Sequence, residues 1–285
     1  MIEAGLVLEG GAARGVFTAG VLDYLMEQRI EFSYVCGVSA GASNAVDYVS
    51  EQIGRTRDAM IPKDKKYRMV KLSAIPTQHS LLDMDMLYDR FPNELIPFDY
   101  DTYFRSPLRC EMVVTNALTG KPEYLDDRTN RERFMAICRA SGSMPIFTPY
   151  VYVDGVPYVD GSIGDSVPVL HSMQQGLKKQ IVVLTRRESY RKSAPSAAVA
   201  AFYRIYFKKY PALLEAMMNR HVMYNRQLDL VRKWEQEGRI FVLRPQVQEV
   251  GRLESGTEEL MKFYRHGYEL MKERFGELSA YLEKG

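Results

Sequence analysis

The stretch VCGVSAGA, residues 35–42, constrains the fold more than any other part of the chain. A GxSxG run passes from a strand into a helix only through a sharp turn, and that turn demands very small residues on both sides of the serine. Gly37 and Gly41 meet the demand. Upstream, FSYVCGV carries the β-branched and aromatic residues of a short strand; downstream, AGASNAVDYVSEQI carries alanines and spaced apolar positions that suit a helix. The pattern predicts strand, elbow, helix, with the Ser39 hydroxyl above the end of a sheet and at the positive end of a helix. Ser39 is therefore a candidate nucleophile, set against the plainer reading of a tight turn with an incidental serine. Ser43, flanked by Gly41 and Ala45, fits the pattern less well.

A serine hydroxyl needs a base at neutral pH. The chain has four histidines, and none of His79, His171, His221 and His266 is flanked by the turn residues that often place a catalytic histidine on a loop. A structural or solvated role is expected for each. A carboxylate is better placed: YVDGS sets Asp160 directly after an apolar strand and before Gly161. The competing reading of Asp160 is a turn aspartate, for which Asp154 in the similar VDG stretch is the natural example. The glycine loop EGGAARG, residues 9–15, leads from an apolar strand into a helix, and backbone N–H groups of Gly10, Gly11 and Ala12 suit an oxyanion. Nucleotide binding is disfavoured, because Gly15 is followed by Val16 and Phe17 instead of Lys and Ser/Thr, and no GxGxxG is present.

Strand and helix signals continue to alternate: AGLVLEGG then FTAGVLDYLMEQR; LRCEMVVTN and KPEYL around a Thr119/Gly120 turn; NRERFMAICRAS capped by Asn130; a hairpin at Asp154/Gly155; and the strand QIVVLTR. Residues 55 to about 107 read as an irregular surface excursion, with seven basic residues against Asp58 and Asp64 in its first part. From about Ser196 the spacing is helical up to Gly238, followed by the strand RIFVLRP and two further helices. The expected architecture is α/β, a three-layer α/β/α fold with a mostly parallel central sheet, residues 1–195, and a mostly helical C-terminal extension, 196–285, packed on it.

In that order, the GGxxRG loop, the GxSxG elbow about 25 residues later, the ASGSMP block at 140–145 and the DG dipeptide at 160–161 resemble the patatin-like phospholipase family, bacterial branch. The resemblance covers roughly residues 4–185. It implies a Ser/Asp dyad without histidine that cleaves acyl esters of lipids, with Ser39 as nucleophile, Asp160 as base and the Gly10–Gly15 loop as oxyanion hole. It further implies supporting roles for Gly37, Gly41, Arg14, Gly15 and Gly161, and no cofactor or metal. The chain departs from the family pattern at Glu9, where glycine or aspartate is frequent, and at Ser166, where asparagine is.

Two alternatives stay open: a soluble carboxylesterase or thioesterase using the same dyad, and a catalytically silent lipid- or protein-binding module. A formal net charge of +2 predicts no general attraction to nucleic acid. Three cysteines, Cys36, Cys110 and Cys138, without CxxC spacing argue against a disulfide framework or zinc site and for a reducing compartment. With no leader pattern and no apolar run of about 18 residues, a cytoplasmic protein is expected. The expected partner is a lipid or other acyl ester, with peripheral membrane contact through RTRDAMIPKDKKYRMVK (55–71, including Lys63, Lys65 and Lys66) or FYRIYFKKY (202–210).

Overall fold

Alternation along the strands decides the layers. In β1 (Ile2–Leu8), Leu6 and Leu8 belong to one apolar cluster and Val7 to another; Ile181 and Val183 divide from Val182 in β7 (Lys179–Val183), and Phe241 and Leu243 from Val242 in β8 (Phe241–Leu243). A strand with apolar residues on both faces is covered on both sides, as a mainly parallel sheet must be. The computed structural model, which describes residues 1–62, 64–67 and 82–284, is accordingly a mixed α/β fold with helices on both faces of one sheet. On the larger cluster lie α1 (Gly15–Glu27), α2 (Ala40–Val49), α6 (Arg131–Ser141), α10 (Thr257–Glu273) and α11 (Phe275–Glu283). Opposite them lie α7 (Val169–Gln174) and the second half of α9 (Pro211–Gln236).

Among the described residues, eight strands form the sheet in the order β5-β6-β3-β2-β1-β7-β8, with β4 on β3. The run from β3 (Arg109–Asn116) through β2 (Phe32–Val38), β1 and β7 to β8 is parallel, whereas β4 (Pro122–Leu125), β5 (Val151–Val153) and β6 (Val156–Asp160) pair antiparallel. The β5–β6 hairpin turns at Asp154 (φ 51) and Gly155 (φ 78), the two positive dihedrals a tight two-residue turn requires. Asn130 caps α6 by accepting a hydrogen bond from the Arg133 N–H.

Within 55–107 the described residues depart from expectation. Arg55–Met60 form a short helix, α3; Met86–Leu95 form a π-helical segment, α4; and Tyr100–Arg105 form α5, capped by Asp99. The charge of Arg55 is not a solvated one: its guanidinium donates to buried Asp47 at 2.8 Å and to the Ile96 carbonyl at 3.0 Å. Pro92, a breaker by sequence, sits inside the wider π turn. Lys63, residues 68–71 of the basic stretch and His79 lie outside the described residues.

From the C-terminal part, β8 extends the sheet beyond β7 and α10 crosses α1. The crossing is close because Gly20 and Gly267 face the opposite backbones: a Cβ on either would lie 2.1 Å from a carbonyl oxygen, Tyr264 O or Phe17 O. Among the described residues no helix is long and apolar enough to cross a membrane.

Candidate active site

β3 is the organising strand. Its far edge is taken by β4 over Met112–Thr115, so β2 and β6 share the other edge end to end. β2 stops at the pair Val38↔Val113, and β6, running the opposite way, stops at Asp160↔Val114. Ser39 and Asp160 are thereby the residues at two strand ends that meet over consecutive positions of β3.

Ser39 has φ 56 and ψ −121, a strained conformation for a residue with a side chain. Such strain costs about 1–3 kcal/mol and persists only where the surroundings impose it. Here its N–H donates to the Ser141 hydroxyl (2.9 Å), which itself donates to the Val113 carbonyl (2.7 Å). Gly10 closes the other side, for a Cβ there would lie 2.8 Å from Val38 O and 2.9 Å from Ser39 Cβ. Gly37 and Gly41 pack backbone to backbone within the elbow, Gly15 abuts Ala40, and Gly161 abuts Val113. Among the described residues, the N–H groups of Gly10, Gly11 and Ala12 make no hydrogen bond, so three donors beside Ser39 are unspent.

Asp160 is buried and fixed on three sides. Its N–H donates to Ser143 O (2.8 Å), its carbonyl accepts from the Thr115 hydroxyl (2.9 Å), and its carboxylate accepts from the Ser162 N–H (2.8 Å). Ser39, Asp160 and the glycine loop line one cavity of about 190 Å³. A second, of about 120 Å³, is lined by Met60, Met84, Leu87, Tyr88 and Phe91 with Asp47, Arg55 and Glu254 among others, and shares Ala12, Ser39, Leu82, Gly142, Arg252 and Leu253 with the first. Ser39 stands at their junction. His171, His221 and His266 line neither; His171 bonds Glu111 at 2.6 Å, and His266 accepts from the Gln246 N–H.

The two departures at Glu9 and Ser166 have local partners. Glu9 is buried and accepts from the Thr185 N–H (2.6 Å) and hydroxyl (3.1 Å) and the Tyr224 hydroxyl (2.6 Å), tying the loop to α9 and to the segment that follows β7. The Ser166 hydroxyl donates to Ser162 O (2.6 Å).

Sequence reasoning missed the charge of the larger cavity. Arg14, Arg186, Lys192, Arg220 and Arg252 line it. Burial, with neighbouring cations, lowers the Lys192 ammonium to about 7 and the Arg14 and Arg220 guanidiniums to about 10. Arg14 is buried with its Nε unbonded, so it is part of the cavity wall as well as of the loop.

A serine on a strained strand-to-helix elbow of an α/β sheet, beside unspent backbone donors, is the arrangement of a serine hydrolase class. The family can be named from residues 6–172, which match the patatin-like phospholipase model; the chain belongs to that family. Residues 210–283 match a domain of unknown function, DUF6363. The chain is 30% identical over 185 residues to the uncharacterized protein YjjU of Escherichia coli K12, a match over 63% of this chain and 51% of that protein. It thus spans about half the length of this curated relative. VipD from Legionella pneumophila has a similar fold, with a TM-score of 0.55 at 15% identity over 96% of this chain and 67% of that one.

Proposed function

We propose that the chain is a serine acyl hydrolase acting on lipid esters, with Ser39 as nucleophile and Asp160 as its base. The observation that carries this reading is the position of Ser39, strained at an elbow between two cavities and sharing one of them with Asp160. The Ser39 oxygen attacks the ester carbonyl as its proton passes to Asp160. The N–H groups of Gly10, Gly11 and Ala12 receive the oxyanion, and the proton on Asp160 goes to the departing alcohol. Water, deprotonated by the same carboxylate, then releases the fatty acid from Ser39. The Met60, Met84, Leu87 and Phe91 side chains of the second cavity suit an acyl chain, which favours a lipid over a small soluble ester. Residues 196–285 belong to the same working unit as 1–195, since β8 extends the sheet and Arg220, Tyr224 and Arg252 line the cavity.

Ser39→Ala and Asp160→Asn are each expected to lower kcat on a monoacylglycerol by roughly 10⁴-fold, with the losses far from additive in the double variant. Circular dichroism and thermal unfolding should match the parent protein. Parental turnover in either single variant would overturn the assignment.

A further inference from the structure

The cations of the larger cavity exceed what the hydrolase chemistry uses. Five of them face Glu9 and Asp160, and Arg186 is paired with Glu249 at 2.7 Å, which leaves two positive charges in excess. Glu9 already accepts three hydrogen bonds from Thr185 and Tyr224. Among the described residues, Lys192 and Arg252 make no ion pair. The arrangement is built: the Asn225 side chain clamps the backbone of Lys192 at both its N–H (2.9 Å) and its carbonyl (3.0 Å), and the ammonium lies 5.4 Å from the Tyr224 ring centre. Arg220, one helical turn before Tyr224 on α9, donates to Ser162 O at 2.8 Å, beside the turn that holds Asp160. Arg252 stands at the exposed rim, where its carbonyl accepts from the Ala13 N–H of the glycine loop.

We propose that Lys192, Arg220 and Arg252 form a subsite for a phosphate monoester on the alcohol part of the substrate, so that the preferred esters are acylglycerol phosphates with an unsubstituted phosphate. The inference rests on the hydrolase reading above. Three cationic groups line the cavity from three separate segments, the loop after β7, α9 and the loop before α10. That suits the three terminal oxygens of a phosphate monoester better than the two oxygens of a planar carboxylate. With Lys192 protonated, the excess of two charges matches a dianion, whereas a diester carries one charge and a second substituent. The Ser162 hydroxyl lines the same cavity; it accepts from the Arg220 guanidinium and keeps its own proton to donate. Without an anion, burial first and the neighbouring cations second hold the Lys192 ammonium at about 7; a bound dianion would offset both.

The test compares three esters with one acyl chain, an acylglycerol phosphate, the corresponding acylglycerophosphocholine and the uncharged monoacylglycerol, each in the same detergent. kcat/KM is expected to be about 10-fold or more higher for the phosphate monoester than for either other ester. In Lys192→Gln/Arg252→Gln that ratio should fall toward one. In parallel, Ser39→Ala protein is titrated calorimetrically with glycerol 3-phosphate and with glycerol; binding of the first alone, weakened in the Gln variants, is expected. Equal turnover of all three esters by the parent, or an equal loss on all three in the double variant, overturns the subsite and leaves the hydrolase reading standing. Binding of glycerol 3-phosphate with no hydrolysis of any ester overturns the hydrolase reading and leaves the subsite.

Discussion

Ser141 holds the elbow from outside it: one hydroxyl accepts the Ser39 N–H and donates to Val113 O, and the residue is fully buried. Ser141→Ala leaves both backbone groups without their partner, so a loss of about 1–3 kcal/mol is expected in urea unfolding. Because the released group is the amide of the proposed nucleophile, kcat on a monoacylglycerol should fall as well, with KM changing less. An unaltered kcat despite lower stability would show the latch to be structural only. The ASGSMP block was visible in the sequence, yet nothing there said that its serine bonds to a residue 102 positions earlier. Ser39, Asp160 and the glycine loop were legible because steric need writes small residues next to them. Lys192, Arg220 and Arg252 were not, since each is an ordinary basic residue in its own segment and only the meeting of α9, the loop after β7 and the loop before α10 makes them neighbours.

At the scale of elements, legibility followed periodicity. β2 runs over Phe32–Val38, the expected FSYVCGV, and α9 begins at Pro211, where a proline is tolerated because a first-turn N–H has no helical partner. α3, α4 and α5 were read as irregular because their stability comes from tertiary partners such as the Arg55–Asp47 pair, which no local pattern reveals. Around α8 (Ala197–Tyr206) the apolar residues divide: Phe207 and Tyr210, just beyond it, are buried, while Val199, Phe202, Ile205 and Tyr206 on it are exposed beside Arg204, Lys208 and Lys209. An exposed apolar row flanked by cations suits shallow insertion at an anionic lipid surface, and we propose that α8 is the membrane contact. Phe202→Ser/Ile205→Ser is expected to lower binding to phosphatidylserine-containing vesicles roughly tenfold in sedimentation assays. Parental binding should weaken as salt is raised, since exposed charges are screened over about 8–10 Å at physiological ionic strength. Vesicle binding indifferent to both would remove α8 from the contact.

At the scale of the whole molecule, the junction of α1 with α10 joins the first part of the chain to its last helices, and it contains a buried carboxylate. Asp23 on α1 accepts from the Tyr264 hydroxyl of α10 (2.7 Å) and from the Gly54 N–H (2.9 Å), while the Arg57 guanidinium lies 5.5 Å from the Tyr264 ring centre. Burial outweighs these partners and raises the Asp23 carboxyl from 3.8 to about 6. The folded state therefore binds a proton more tightly than the unfolded state does. The ionised form is the costly one: its penalty is absent below the unfolded value of 3.8, grows as pH rises, and is complete above about 6. Through this group, stability declines by about 2 kcal/mol between roughly pH 4 and pH 7, against any other titrations that act in the same range. Asp23→Asn keeps an oxygen for the Gly54 N–H and offers an amide donor to the Tyr264 oxygen, so it should remove this decline and raise the melting temperature at pH near 7. The comparison to make is the difference in unfolding free energy between variant and parent across that pH range, which cancels the other groups. A difference that stays flat with pH would mean that Asp23 is ionised without cost and that the α1–α10 junction tolerates its charge.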